Sequence, residues 1–191
     1  MKGCFLLKVT CVILDRDGVI NFDSPDYIKS PEEWVPIPGS LEAIALLNKN
    51  KILVAMATNQ AGPAQGKFSK EMSEAIFKKL SLVLAEKGGH FDHMALCEHH
   101  PKALCPCRKP KIGMLLEIFE KLRVQPQECV FIGDSEKDIQ AAKNAGVSPI
   151  LVLTGNGEKT KTLLASSGEL NGVKVFSDLL LAVEWLLSFS A

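Results

Sequence analysis

The chain has 191 residues, which at roughly 100–200 residues per domain fits one domain, 1–191, with its own core. Lysine plus arginine and aspartate plus glutamate both number 22, for a formal net charge of +0, so no basic field exists to hold nucleic acid or an anionic membrane by electrostatics alone. Hydrophobic residues at 47% and charged residues at 23% also exclude wholesale disorder.

The leading residues Met1 to Leu14 are apolar enough to raise a secretory signal. Lys8 interrupts them, no small-residue cleavage site follows and Asp15-Arg16-Asp17 closes the run, so a buried strand over 9–14 is the better reading. No other stretch reaches the ~18 uninterrupted apolar residues of a membrane span, and a soluble, cytoplasmic protein is expected. Asp15 and Asp17, two apart at the strand end and followed by Gly18, can put one carboxylate on a metal and the other beside a substrate, or form an exposed turn. Pro38-Gly39 opens a helix over 40–48, and an apolar run at 52–57 ends in Thr58-Asn59-Gln60, a hydroxyl and two amides. Ser69 is placed to cap a helix over 69–87.

A short strand over 94–97 leads into 97–110, too rich in Cys, His and Pro for strand or helix. Cys97-x-His99, then five residues, then Cys105-x-Cys107 offers three thiolates and an imidazole, the ligand set of a closed structural zinc site. His100 is the alternative imidazole, and reduced cysteines near a histidine by accident are the plain alternative. Cys4, Cys11 and Cys129 read as core residues in or beside strands. A helix over 111–122 precedes a strand over 129–132, whose end, Gly133-Asp134-Ser135-Glu136-Lys137-Asp138, runs into a helix over 136–144. Acids there can complement the helix N-terminus, which suffices for Asp138 but less well for Asp134. A strand over 150–153, a shorter one over 173–176 and a helix over 177–187 close the chain. Strands alternating with helices predict a doubly wound, Rossmann-like parallel sheet, with ligands beyond the carboxyl ends of its strands.

Asp15-x-Asp17, Thr58, Lys109 and Asp134, in that order along nearly the whole chain, resemble the four motifs of the haloacid dehalogenase superfamily of phosphotransferases. The resemblance implies Asp15 as nucleophile, Asp17 as general acid and base, Thr58 and Lys109 on the phosphoryl oxygens, and Mg²⁺ held by Asp15, Asp134 and the Asp17 carbonyl. Asp138 is expected to support this shell without touching the metal, or to be a solvated helix acid. The Cys-x-Cys-Arg-Lys-Pro loop and the glycine pattern after Thr58 are similar to the D-glycero-D-manno-heptose-1,7-bisphosphate 7-phosphatase family, with the histidinol-phosphate phosphatases as the alternative. That implies a small phosphorylated sugar as substrate, in surface-glycan synthesis, and neither nucleic acid nor membrane as partner.

No insertion is long enough for a cap domain, so 18–27, 61–68 and the zinc loop must wall the pocket. Asp23, Tyr27, Asn59, Gln60 and Arg108 are the expected substrate contacts, and Lys111 is expected at a solvated helix start. Two departures stand out: Ala61, Pro63 and Gln65 replace Ser, Ile and Arg of the family pattern, and the Asp23 to Tyr27 spacing is stretched by one residue. A monomer is expected, and a non-catalytic zinc-stapled interaction protein is the reading from another functional class.

Overall fold

The computed structural model describes residues 9–189; Cys4 and the start of the first apolar run lie outside them. Six parallel strands form one sheet in the order β3-β2-β1-β4-β5-β6. They are β1 (Cys11–Leu14), β2 (Leu53–Asn59), β3 (His93–Cys97), β4 (Cys129–Gly133), β5 (Ser148–Val152) and β6 (Lys174–Phe176). The six helices are α1 (Ser40–Lys49), α2 (Lys70–Glu86), α3 (Gly113–Leu122), α4 (Glu136–Ala145), α5 (Gly157–Ser167) and α6 (Leu179–Leu187). The chain winds outward from β1 in one direction, then restarts at β4 in the other. The switch between β1 and β4 opens a crevice at their carboxyl ends.

β1 is buried along its whole length, as a central parallel strand covered on both faces must be. Alternate side chains point to opposite faces: Val12 and Leu14 join Ile44, Leu80 and Val183 of α1, α2 and α6, whereas Cys11 and Ile13 pack with Leu115, Ile118 and Ala141 of α3 and α4. α5 is seated on this second face by Ile139, Leu151 and Leu164. Cys11 and Cys129 are buried neighbours in register on β1 and β4, as expected of core residues.

The predicted helix over 111–122 starts at Gly113, because the Gly113 N–H donates to the Pro106 carbonyl at 3.1 Å and ties the turn back to the preceding loop. α5 was not anticipated. Ser69 caps α2 as predicted, accepting from the Met72 N–H at 3.2 Å. Among the described residues no helix is long and apolar enough to cross a membrane.

Candidate active site

The crevice holds a pocket of about 430 Å³, lined by Asp15, Asp17, Thr58, Lys109 and Asp134 together with the walls from 23–28 and 156–163. Asp15, Asp17, Thr58 and Asp134 sit at or just past the ends of β1, β2 and β4, because a buried parallel strand must shed its polar groups where the sheet stops, whereas Lys109 comes from the loop that follows β3.

Lys109 lies at the centre, with its side chain only 2% exposed. Its ammonium reaches the Ala57 carbonyl at 2.8 Å, Asp15 Oδ1 at 2.8 Å and Asp138 Oδ1 at 2.6 Å, using its three protons. Burial alone would strip one of them, but the charges of Asp138 and Asp15 outweigh it and hold the ammonium above its ordinary pKa. Asp15 Oδ1 also accepts from the Arg16 N–H at 2.7 Å, leaving Oδ2 without a partner among the described residues. Burial and the adjacent Asp138 charge push the Asp15 carboxyl up to about 8 against the pull of Lys109. Asp134 is pushed up to about 6 by burial and by Asp138.

Carboxylate oxygens of Asp15, Asp134 and Asp138 all lie within 4.8 Å of one another. Three acids around one ammonium leave uncompensated negative charge, a donor set that fits a hard divalent cation. Asp138 has both oxygens engaged: Oδ2 accepts from Ser135 N at 3.1 Å and Ser135 Oγ at 2.6 Å, and Oδ1 faces Lys109. Burial to 1% exposure overturns its reading as a solvated helix acid. Asp15 and Asp134 are therefore the side chains able to hold a cation, and the Asp17 carbonyl oxygen, which accepts no hydrogen bond among the described residues, completes the implied set.

Asp17 is gripped from three sides. Arg16 donates Nε to Oδ1 and Nη2 to Oδ2, both at 2.9 Å; Asn21 Nδ2 donates to Oδ1 at 2.9 Å; and Gln60 Nε2 donates to Oδ2 at 2.8 Å. Burial would raise its pKa, but Arg16, Asn21 and Gln60 together draw it below the usual carboxylate range. The resting side chain is thus a base. An anion brought against it would favour its protonation, as a nearby like charge does. Behind it, Asn21 Oδ1 accepts from the Trp34 indole at 3.0 Å.

Two expected substrate contacts have other partners. Both ends of the Asn59 amide meet the Lys109 main chain, Oδ1 accepting from its N–H at 3.1 Å and Nδ2 donating to its carbonyl at 3.3 Å, so Asn59 fixes the lysine. The buried Gln60 amide nitrogen reaches Asp17 and, at 2.9 Å, Thr58 Oγ1. Arg108, Asp23 and Tyr27 do line the pocket. Arg108 Nη1 is buried without a hydrogen-bond partner, and neither Arg108 nor the pocket-lining Lys137 and Lys159 enters an ion pair among the described residues. Tyr27, at a left-handed φ of 65°, accepts on its hydroxyl from Gln65 Nε2 at 2.6 Å; the residue that departs from the family pattern therefore ties two walls together. Lys111 is not merely solvated: its ammonium donates to the Cys105 carbonyl at 2.7 Å.

Beside the pocket, single ligand atoms of Cys97, His99, Cys105 and Cys107 lie within 4.8 Å of one another. Cys97 Sγ is 3.7 Å from both Cys105 Sγ and His99 Nδ1, and Cys107 Sγ is 3.2 Å from His99 Nδ1. Tetrahedral zinc with Zn–S near 2.3 Å requires sulfur pairs about 3.8 Å apart, so the four residues fit that ion. His100 is turned away, its Nδ1 accepting from the Lys102 N–H at 3.1 Å. Burial and the neighbouring thiols push the Cys107 thiol up to about 12, as like groups crowded around a point do without a counter-cation.

Arg16 and Asn156 were not anticipated. Arg16 sits between two acids and is 2% exposed, with its guanidinium 5.1 Å from the Phe77 ring. Asn156 bridges Asp134 and Asp23. Its place between two glycines just past an apolar run is the only signal it leaves in the sequence.

Residues 106–180 match the HAD-hydrolase-like family model. A Pseudomonas putida D-glycero-beta-D-manno-heptose-1,7-bisphosphate 7-phosphatase is 50% identical over 149 residues, 78% of this chain and 85% of that protein. The Bordetella bronchiseptica enzyme of the same name is 46% identical over 176 residues, 92% and 97% of the two chains. The crystal structure of D,D-heptose 1,7-bisphosphate phosphatase from B. bronchiseptica, complexed with magnesium and phosphate, superposes with a TM-score of 0.89 at 44% identity over 94% of this chain and 99% of that one. The Burkholderia thailandensis enzyme gives 0.70 at 37% identity, over 95% and 99%.

Proposed function

Because the chain belongs to the D-glycero-β-D-manno-heptose-1,7-bisphosphate 7-phosphatase family of HAD-like hydrolases, we propose that it removes the 7-phosphate of that sugar bisphosphate with Mg²⁺ as cofactor, in the synthesis of activated heptose for surface glycans. One observation carries the reading: a carboxylate with one oxygen held by a saturated buried lysine and the other free, Asp15, shares a pocket with a second, donor-clamped carboxylate, Asp17.

In this mechanism Asp15 Oδ2 attacks phosphorus in line with the sugar oxygen, forming an aspartyl phosphate as the phosphorus–sugar oxygen bond breaks. The leaving alkoxide takes a proton from Asp17, which an incoming phosphate has favoured in its acid form. Asp17, now a base, withdraws a proton from water attacking the acyl phosphate; inorganic phosphate leaves and Asp15 is regenerated. Thr58, whose Oγ1 accepts from Gln60, keeps its hydroxyl proton for a phosphoryl oxygen, and the Lys109 ammonium, held by Ala57, Asp15 and Asp138, contributes its positive charge from beneath. Asp15, Asp134 and the Asp17 carbonyl would hold the divalent cation, whose positive charge would bear on the phosphoryl oxygens. The phosphate at C1 is met by the unpaired Arg108, with Lys137 and Lys159 at the pocket mouth. Cys97, His99, Cys105 and Cys107 would hold a structural zinc ion, which would staple the loop and keep Arg108 and Lys109 in place.

The test is kcat/KM with Mg²⁺ for D-glycero-D-manno-heptose 1,7-bisphosphate against histidinol phosphate on one preparation. A ratio above ~100, about 2.7 kcal/mol of differential transition-state binding, is expected. The reverse ratio would move the enzyme to histidinol phosphate.

A further inference from the structure

Asp134 is held on one oxygen only. Its Oδ2 accepts from the Asn156 main-chain N–H at 2.7 Å and from Asn156 Nδ2 at 3.2 Å. Two glycine main chains close around the same atom: a Cβ on Gly18 would stand 2.2 Å from it and one on Gly155 2.3 Å. With Oδ2 so enclosed, the carboxylate cannot turn, and the other oxygen is left for a cation. The Asn156 amide nitrogen has a second proton, and Asp23 Oδ2 lies 3.3 Å away. One side-chain amide thus serves carboxylates from two loops, one at the cation site and one on the pocket wall. Aspartate in this position would add a third acid, and alanine would join nothing.

We propose that Asn156 is a positioning residue that fixes the Asp134 carboxylate for the divalent cation and, through Asp23, couples the cation site to the substrate-facing loop. The proposal rests on the reading that Asp15 and Asp134 hold that cation. Groups that orient a metal ligand typically contribute 10–100-fold to metal affinity, and the main-chain bond survives substitution by alanine, so the lower end applies.

The experiment is calorimetric titration of Mg²⁺ into the substrate-free, full-length, zinc-loaded protein for wild type, N156A, D23A and the double variant, with melting temperatures in Mg²⁺-free buffer alongside. Asn156 makes no side-chain cap to α5, so N156A removes no helix cap, and D23A alters an exposed residue. N156A should bind Mg²⁺ about 10-fold more weakly with an unchanged cation-free melting temperature. D23A should shift Mg²⁺ binding in the wild-type background and have no further effect in N156A, because its influence passes through the amide. N156A binding within about twofold of wild type would overturn the positioning role, and an equal D23A effect in both backgrounds would overturn the coupling. Failure of the wild-type protein to bind Mg²⁺ at all would instead bring down the cation reading, and this inference with it.

Discussion

Replacing Lys109 by methionine tests the electrostatic centre of the site. The ammonium is the counter-charge for Asp15 and Asp138, whose side chains are 13% and 1% exposed. Methionine fills the space under the Phe131 ring, which lies 5.4 Å from Nζ, but leaves two acids without a partner. Breaking a buried pair from one side costs about 3–5 kcal/mol, and at roughly 2–4 °C per kcal/mol for a chain of this size K109M should melt about 6–20 °C below wild type. The pH dependence separates charge from packing. Asp15 is already raised to about 8 with the ammonium in place, and loss of the ammonium raises it further. Carboxyls with folded pKa values above their unfolded ones bind protons more tightly in the folded state, so the deficit is fullest at high pH and shrinks as pH falls through those values. Lys109, held above its ordinary pKa by its two partners, stays charged over the range. Calorimetric melting of both proteins in Mg²⁺-free buffer between about pH 6 and 9 makes the measurement, with K109M/D138N expected to recover part of the loss. A deficit under about 2 °C at the alkaline end, or one that does not narrow toward pH 6, would refute the reasoning.

D15N should lower turnover by more than about 10³-fold without lowering the cation-free melting temperature, since it removes one acid from an over-acidic cluster; near-normal turnover would sink the nucleophile assignment. C105S should lose bound zinc by elemental analysis and melt at least about 5 °C lower, with the Mg²⁺ activation constant little changed; a protein that carries no zinc when purified reduced and without chelator would contradict the staple. At Gly155, whose added Cβ would sit 2.3 Å from Asp134 Oδ2 and 2.5 Å from the Gly18 Cα at a φ of 56°, G155A should cost about 1–3 kcal/mol and weaken Mg²⁺ binding. G168A, where φ is 76° but nothing lies within 4 Å, should cost only the ~1–2 kcal/mol of a left-handed side chain. Mg²⁺ affinity should rise with pH from about 6 to about 8, because protons on Asp134 and then Asp15 compete with the cation; calorimetry showing pH-independent affinity would count against both acids as ligands.

The strands were legible because five of them are short apolar runs that end abruptly in polar residues, which is what burial on both faces writes into a sequence. α5 was not, and its inner face explains why. The buried positions are Gly157, Thr160 and Leu164, so the helical period is carried by two small residues that carry no apolar signal. The acids Asp15, Asp17 and Asp134 could be read from their strand ends. Their supports could not, because Asn59 and Gln60 find partners on elements distant in sequence. Arg16, flanked by acids, reads as a surface charge until the fold shows two of its three guanidinium nitrogens on Asp17.

The loop 97–110 has neither regular structure nor much apolar material to hold it, yet Arg108 and Lys109 follow Cys107 directly. Its attachments are polar and lie at its carboxyl end: Asn59 on the Lys109 main chain, Lys111 on the Cys105 carbonyl and the Gly113 N–H on the Pro106 carbonyl. Such bonds are worth about 0.5–1.5 kcal/mol each and can exchange with water. Four metal ligands closing on one point confine the same stretch far more strongly. A side chain that must meet Asp15, Asp138 and Ala57 together within 2.6–2.8 Å tolerates little drift in its own main chain. On the function proposed above, the ligand set two residues upstream therefore positions the Lys109 ammonium without touching substrate, and zinc loss should appear first as a fall in kcat, before any change in how the cation binds at Asp15 and Asp134.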